Sequence, residues 1–412
     1  MRILSIETSC DETGISILET TGALGAISPR AEIKVLADIV LSQSSLHAGF
    51  GGVFPTVARR EHAKNIMPVL LRALDDAGLL HIIKEPRVLV QKEKDTIARI
   101  FHKEAVLMEE FYKSLLDVSI PEIDAIAVTA GPGLEPALWV GINTAQALGE
   151  LWNIPIIPVN HMEGHIMASL LVPKPEKDGK KVFSLSVPHF PSLALLISGG
   201  HTELVLMPRR GEYEILGQTR DDAVGEAFDK VARMLGLGYP GGPEISKIAE
   251  KAPRAKQVPY PLPRPMIKSP DHDFSFAGLK TSVLYTIKKI PELTSEIKAS
   301  LAKEFEDSVT EVLISKTRDA GKKYKVHEII LGGGVTANKK IRLAFRALVD
   351  KEFPEVKLFI PEQYLSTDNG LMIGLAGLLR SNKVKKNFVA EGTLRLSSKA
   401  REPFRKPLRK NK

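Results

Sequence analysis

The amino-acid sequence predicts an α/β protein built from two duplicated lobes around a central cleft, with helical and loop insertions. Three observations predict it. Residues 2–18 and 193–207 each read as a β-hairpin whose apolar strands flank a small polar tip. Two later stretches, D-A-I-A-V-T-A-G-P-G from Asp124 and H-E-I-I-L-G-G-G from His327, each read as a buried strand, a Gly-rich turn and a helix. Each hairpin precedes its Gly-loop strand by about 120 to 135 residues, as an internal repeat would.

In order along the chain, Ile3–Ile6 and Ile15–Leu18 form the first hairpin, with Asp11, Glu12 and Gly14 at its tip. Residues 35–41 supply a third strand. A Gly-rich stretch around Gly51 then leads to a helix from Pro55 to about Ala77. Residues 81–118 carry apolar side chains at Ile97, Phe101, Met108, Phe111 and Leu115, the pattern of an inserted amphipathic helix whose apolar side must be covered, by the first lobe in preference to a partner. After the first Gly-loop strand and its helix, P-I-I-P-V-N-H-M-E-G-H spans Pro155 to His165. Residues 174–191, polar and proline-rich, read as a second insertion, a loop. The second hairpin closes on S-G-G-H-T, a helix covers Ala223–Leu235, and Gly241-Gly242-Pro243 makes a turn. Helices from Lys339 and from about Asn369 complete the pattern. These elements divide the chain into a first lobe at 1–155, a second at 156–385 and a tail at 386–412.

Composition narrows the class. The 412 residues suffice for two full cores. No apolar run reaches the ~18 residues of a membrane span, and the N-terminus lacks the pattern of a signal peptide, so a cytoplasmic protein without membrane contact is expected. One cysteine, Cys10, excludes an internal disulfide. Net charge is +8, but Lys399 to Lys412 hold seven basic residues against Glu402 alone, leaving the body nearly neutral. Such a basic end either binds a polyanion or serves solubility.

The chemistry centres on His161 and His165. If the chain is helical from Asn160, the two imidazoles lie one turn apart on one face and can ligate one transition metal. The alternative is two polar residues near a helix start capped by Asn160. A zinc-protease helix needs Glu directly after the first His. Here Met162 holds that place, and Glu163 is turned by about 100° away from it. Asp368 reads as the N-cap of the last helix and also as a carboxylate able to complete a His-His-Asp set. The Gly-rich loops present backbone N–H groups suited to anions. Two lobes with polar hairpin tips facing a cleft describe the actin, Hsp70 and sugar-kinase architecture (ASKHA, ribonuclease-H-like), with a nucleotide between the lobes. No G-x-x-x-x-G-K-[ST] phosphate loop competes with that reading.

Nine motifs then stand in family order: I-E-T-S-C-D-E-T-G, G-G-V-F-P-T-V-A-R-R-E-H, H-M-E-G-H, L-I-S-G-G-H-T, D-D-A-V-G-E-A-F-D-K, Y-P-G-G-P, F-S-F-A-G-L-K, G-G-G-V-T-A-N and S-T-D-N-G. In these the chain resembles the tRNA N6-adenosine threonylcarbamoyltransferase family, in its bacterial TsaD branch. The resemblance covers nearly everything except about 81–118, 174–191 and the tail. It departs at Glu135-Pro136, where the family commonly has G-P-G-L-x-G, which puts the local loop in question.

The resemblance implies transfer of threonylcarbamoyl from threonylcarbamoyl-AMP to N6 of the adenosine 3′ to the tRNA anticodon. Carried over by position, it implies metal ligation by His161, His165 and Asp368, with one divalent ion per subunit, Fe(2+) or alternatively Zn. It implies adenylate contacts from Leu196, Ile197, Ser198, Gly199, Gly200, Asp229, Gly242 and Asn338. Implied partners are tRNA, a TsaB-like subunit and a TsaE-like ATPase. Asp11 and Glu12, at the first hairpin tip, are the candidates for receiving the proton lost from the amine. Two rival classes use parts of the same set. A non-catalytic ATP-binding subunit of a tRNA-modification complex would keep the cleft without needing the metal triad, and a metallopeptidase would use the histidines but need the missing Glu.

Overall fold

A computed structural model of the chain describes residues 1–21, 31–253 and 260–380, with Phe388, Glu391 and Leu396. The basic stretch from Lys399 to Lys412 lies outside the described residues.

The first hairpin forms as expected: β1 (Arg2–Glu7) pairs antiparallel with β2 (Glu12–Thr20), and β3 (Glu32–Ser42) continues antiparallel on β2. A short α1 (Ser44–Ala48) and a long α2 (Pro55–Asp76) follow. Pro55 opens α2, where a missing N–H leaves no helical bond unmade. The stretch 81–118, expected as one amphipathic helix, is two: α3 (Gln91–Ile100) and α4 (Ala105–Leu115). The break lets Phe101 and Phe111 meet with ring centroids 5.4 Å apart. On one straight helix, ten residues of rise would hold them about 15 Å apart. Both rings are buried in the core of the first lobe, so that lobe covers the apolar side.

β4 (Ala125–Gly131) lies parallel to β1, and α5 (Glu135–Trp152) returns the chain to β5 (Ile156–Asn160), parallel to β4. Glu135 and Pro136 form the first turn of α5, a position proline favours, so the family departure there starts a helix rather than disturbing one. β5, expected at the head of the second lobe, is instead an edge strand of the first sheet. It is followed at once by α6 (His161–Ser169). The expected loop at 174–191 is largely a hairpin, β6 (Leu171–Lys177) with β7 (Lys180–Leu185), and β7 pairs with β3 to extend the first sheet to seven strands. Its prolines disguised it: Pro173 and Pro175 sit on the outermost strand, where no further ladder needs their N–H.

The second half repeats the plan. β8 (Ser192–Ile197), β9 (Thr202–Met207) and β10 (Glu214–Gln218) form an antiparallel meander. Four helices follow: α7 (Val224–Met234), α8 (Gly241–Ala249), α9 (Ala277–Lys288) and α10 (Ser295–Tyr324). Then come β11 (Glu328–Gly332), α11 (Lys339–Glu352), β12 (Lys357–Phe359) and α12 (Gly370–Leu379). The second sheet runs β10-β9-β8-β11-β12, and the first runs β3-β2-β1-β4-β5 before its extra hairpin. In both, the first three strands are antiparallel and the last two join in parallel. The duplication therefore extends to strand order and direction, and the fold is the two-lobed actin-like one.

The last helix of each half crosses over. α6 leaves the first sheet and packs on β8 and β11, whereas α12 leaves the second and packs on β1 and β2. The two helices also pack on each other and are buried along almost their whole length. Such depth needs small residues: a Cβ on Gly377 would lie 2.6 Å from Cβ of Ala127. This crossing brings the starts of α6 and α12 to one place.

Candidate metal centre and cleft

Asn160 starts α6 where the sequence suggested. Its side-chain oxygen accepts the Met162 and Glu163 amides at 2.9 and 3.2 Å, so helical turns begin at His161. His161 and His165 then lie one turn apart, edge to face, with ring centroids 4.7 Å apart. At the other helix start the cap is Asn369, not Asp368: its Oδ1 accepts the Met372 amide at 2.9 Å. Relieved of capping, Asp368 turns to the histidines. Its Oδ1 lies 3.4 Å from His161 Nε2 and 3.2 Å from His165 Nε2. One ligand atom from each of the three residues falls within 4.8 Å of the others.

This donor set fits a transition metal. His165 is buried with its Nε2 against the Asp368 carboxylate, while its Nδ1 makes no hydrogen bond, and buried polar atoms without a partner are uncommon. Two imidazoles and a carboxylate suit a borderline ion such as Fe(2+) or Zn(2+). Glu163 is not part of the set. Tyr213 donates its O–H to Glu163 Oε1 at 2.9 Å, and Arg380 pairs with the other oxygen.

Sequence reading missed the ring of residues behind His161. Its Nδ1 lies 3.1 Å from Glu7 Oε2 and 3.1 Å from Ser9 Oγ. Thr129 donates to the same Glu7 oxygen at 2.5 Å. His201, at the tip of the second hairpin, was also missed. Burial, followed by the nearby His161 and His165, pushes it down to about 4. Burial opposes a charge on His161, but Asp368 and Glu7 outweigh it and raise it to about 9. Burial likewise opposes charge on Asp368. The facing histidines prevail and hold it down to about 2.

The first hairpin tip borders this centre. Burial, together with Asp368 and Asp11, pushes Glu12 well above the usual carboxylate range. Asp11 faces across to the second lobe: Asp229 is raised by burial, with the Asp11 charge adding to the effect.

The residues expected to contact an adenylate are not equally placed. Gly199, Gly200 and Gly242 border open space, since a Cβ on any of them would meet nothing within 4 Å. Ser198 closes the hairpin tip, its amide donating to the His201 carbonyl at 2.9 Å. Asp229 accepts the Gly241 amide at 2.7 Å, fixing the start of α8. The side chains of Leu196 and Ile197 are fully buried in the apolar cores and do not reach the opening. Asn338 is engaged internally: Oδ1 caps α11 at the Ile341 amide, and Nδ2 donates to Glu306 at 2.7 Å and Ser246 at 2.9 Å.

The model of the family described as TsaD, tRNA N6-adenosine threonylcarbamoyltransferase, matches residues 34–81 and 96–375. This chain belongs to that family. It is similar to enzymes of that name from Burkholderia cenocepacia (strain HI2424) and Burkholderia ambifaria (strain MC40-6), each 40% identical over 386 residues, 92% of either chain. The enzyme of that name from Paraburkholderia xenovorans is 40% identical over 382 residues, again covering 92% of each. Among solved structures, the ROK hexokinase of Thermus thermophilus covers 93% of this chain at 11% identity with a TM-score of 0.41, too distant to argue from. The family match is interrupted inside the stretch read as a helical insertion and resumes within it, and it spans β6 and β7 without a break. Among the described residues, no helix is long and apolar enough to cross a membrane.

Proposed function

We propose that this transferase moves threonylcarbamoyl from threonylcarbamoyl-AMP to N6 of the adenosine 3′ to the anticodon, in tRNAs reading codons that begin with adenine. The observation that carries the reading is the His161–His165–Asp368 cluster beside a glycine-bordered opening, in a chain 40% identical to enzymes of that name.

An exocyclic adenine amine is a weak nucleophile, so its environment must do two things: activate the carbonyl and accept a proton. The N6 lone pair forms a bond to the carbamoyl carbon while that carbon's bond to the phosphate oxygen breaks. AMP leaves with the electron pair, and N6 loses one proton. A metal held by His161, His165 and Asp368, which we assign as iron(II) with zinc as the alternative, would supply Lewis acidity at this carbonyl. Glu12 is the carboxylate we assign to receive the proton, because burial and Asp368 raise its affinity for one well above a carboxylate's usual level. Asp11 then orients the amine from the same hairpin tip. Backbone amides at Gly199 and Gly200 suit the adenylate phosphate, Asp229 holds α8 so that Gly242 faces the nucleotide, and Asn338 supports the neighbouring loop.

Glu163 is spent on Tyr213 and Arg380, which counts against a peptidase. A purely architectural ATP-binding subunit would have no use for an assembled His-His-Asp cluster. We assign the reaction to the cytoplasm, with TsaB-like and TsaE-like partners. The test is mass spectrometry of tRNA nucleosides after incubating the metal-loaded protein with tRNA, threonylcarbamoyl-AMP and those partners. Threonylcarbamoyladenosine should accumulate with the wild-type chain and not with Asp368→Ala; no product from either would reject the reading.

A further inference from the structure

Glu7 ends β1 and is fully buried. Among the described residues its only ion-pair partner is His161. Three groups fix the carboxylate. The Ser9 amide donates to Oε1, the Thr129 hydroxyl donates to Oε2 at 2.5 Å, and Nδ1 of His161 stands 3.1 Å from the same Oε2. The first two belong to the hairpin turn and to β4, so the carboxylate cannot follow the imidazole; the imidazole must follow it. An Nδ1 that faces a carboxylate carries the hydrogen. Nε2 is then the nitrogen left to coordinate, and Nε2 is the one turned to Asp368 at 3.4 Å. His165 has no such holder, since its Nδ1 makes no hydrogen bond.

We infer that Glu7 is a positioning residue of the metal centre: it selects the His161 tautomer, aims Nε2 into the cluster and makes that nitrogen a stronger donor. The inference rests on the metal reading above. Carboxylates behind metal-bound histidines typically strengthen binding by about 10 to 100-fold.

Zinc titration of the full-length metal-free protein against a chromophoric chelator tests it, using wild type, Glu7→Gln, Glu7→Asp and His165→Ala. Glu7→Gln keeps the shape and loses the charge, and should weaken zinc binding by the folded protein about 10 to 100-fold. In the zinc-loaded protein the His161 Nδ1 proton resonance should move upfield in this variant. Should Glu7→Gln not fold, Glu7→Asp serves instead, since it draws the carboxylate back from Nδ1 and should also weaken binding. Wild-type zinc affinity in the folded Glu7 variant, with loss only in His165→Ala, overturns the role of Glu7 and leaves the metal reading standing. Absence of zinc binding by the wild type overturns both.

Discussion

His165 Nε2 and Asp368 Oδ1 stand 3.2 Å apart although they close opposite halves of the chain. The contact exists because α6 and α12 exchange sheets, so each histidine and the carboxylate belong to both lobes at once. A centre made this way reports on lobe assembly, and its three residues should not respond alike to mutation. His165→Ala and Asp368→Ala should abolish stoichiometric metal. His161→Ala should do so and also destabilise the metal-free fold by about 3–5 kcal/mol, because Glu7 is left buried without its partner. Adding Glu7→Gln to His161→Ala should restore much of that loss. Urea denaturation of the four metal-free proteins checks it, and equal stability of the two histidine variants would refute the asymmetry.

Metal binding should depend on pH with a definite sign. In the metal-free protein, Asp368 and Glu7 keep His161 protonated up to about 9. Coordination needs the Nε2 lone pair, so below that value binding must expel a proton. Zinc affinity should therefore rise about tenfold per pH unit between neutrality and pH 9 and level off above it. Calorimetry in buffers of different ionisation enthalpy should register close to one proton released at pH 7. An affinity independent of pH in this window would contradict the pairing.

Two glycines separate fold from cleft. Gly333 has φ +92, and a Cβ there would lie 2.4 Å from the Ile197 carbonyl oxygen, so Gly333→Ala should destabilise the second lobe and lower the thermal midpoint by several degrees. Gly242 faces open space. Gly242→Val should leave the melting curve in place and weaken AMP binding in calorimetry. Unchanged AMP affinity in Gly242→Val would place the nucleotide elsewhere.

What the sequence revealed and concealed follows from the range of each contact. The histidine pair was readable because a helix repeats every 3.6 residues, which is a local fact. The hairpins and Gly-loops were readable for the same reason. Asp368 was ambiguous, since the neighbouring Asn369 can cap a helix equally well, and only the S-T-D-N-G resemblance singled it out. Glu7 left no local signal. It meets Thr129 through the parallel register that sets Ile6 beside Val128, and His161 through the turn from β5 into α6. The hairpin of β6 and β7 was hidden by prolines that are tolerable only on an outer edge, and edge position is a property of the sheet. The single long helix expected at 81–118 failed because periodicity cannot show where a helix folds back on itself.

The basic end of the chain gives the last prediction. Residues 399–412 carry a net +6 of the protein's +8, so the remainder presents little net attraction to a polyanion. If these residues contact tRNA, each phosphate they neutralise contributes roughly 0.7 to 0.9 to the slope of log affinity against log salt. Deleting 399–412 should then weaken tRNA binding at low salt and flatten that slope by several units. Zinc and AMP binding should be unchanged, because the metal cluster and Gly242 lie elsewhere in the chain. The opposing reading, that the end serves only solubility with tRNA held by the lobes and partner subunits, expects parallel salt lines of equal affinity for full-length and truncated proteins. Filter binding across a salt series distinguishes them, and parallel lines would remove these residues from the tRNA contact.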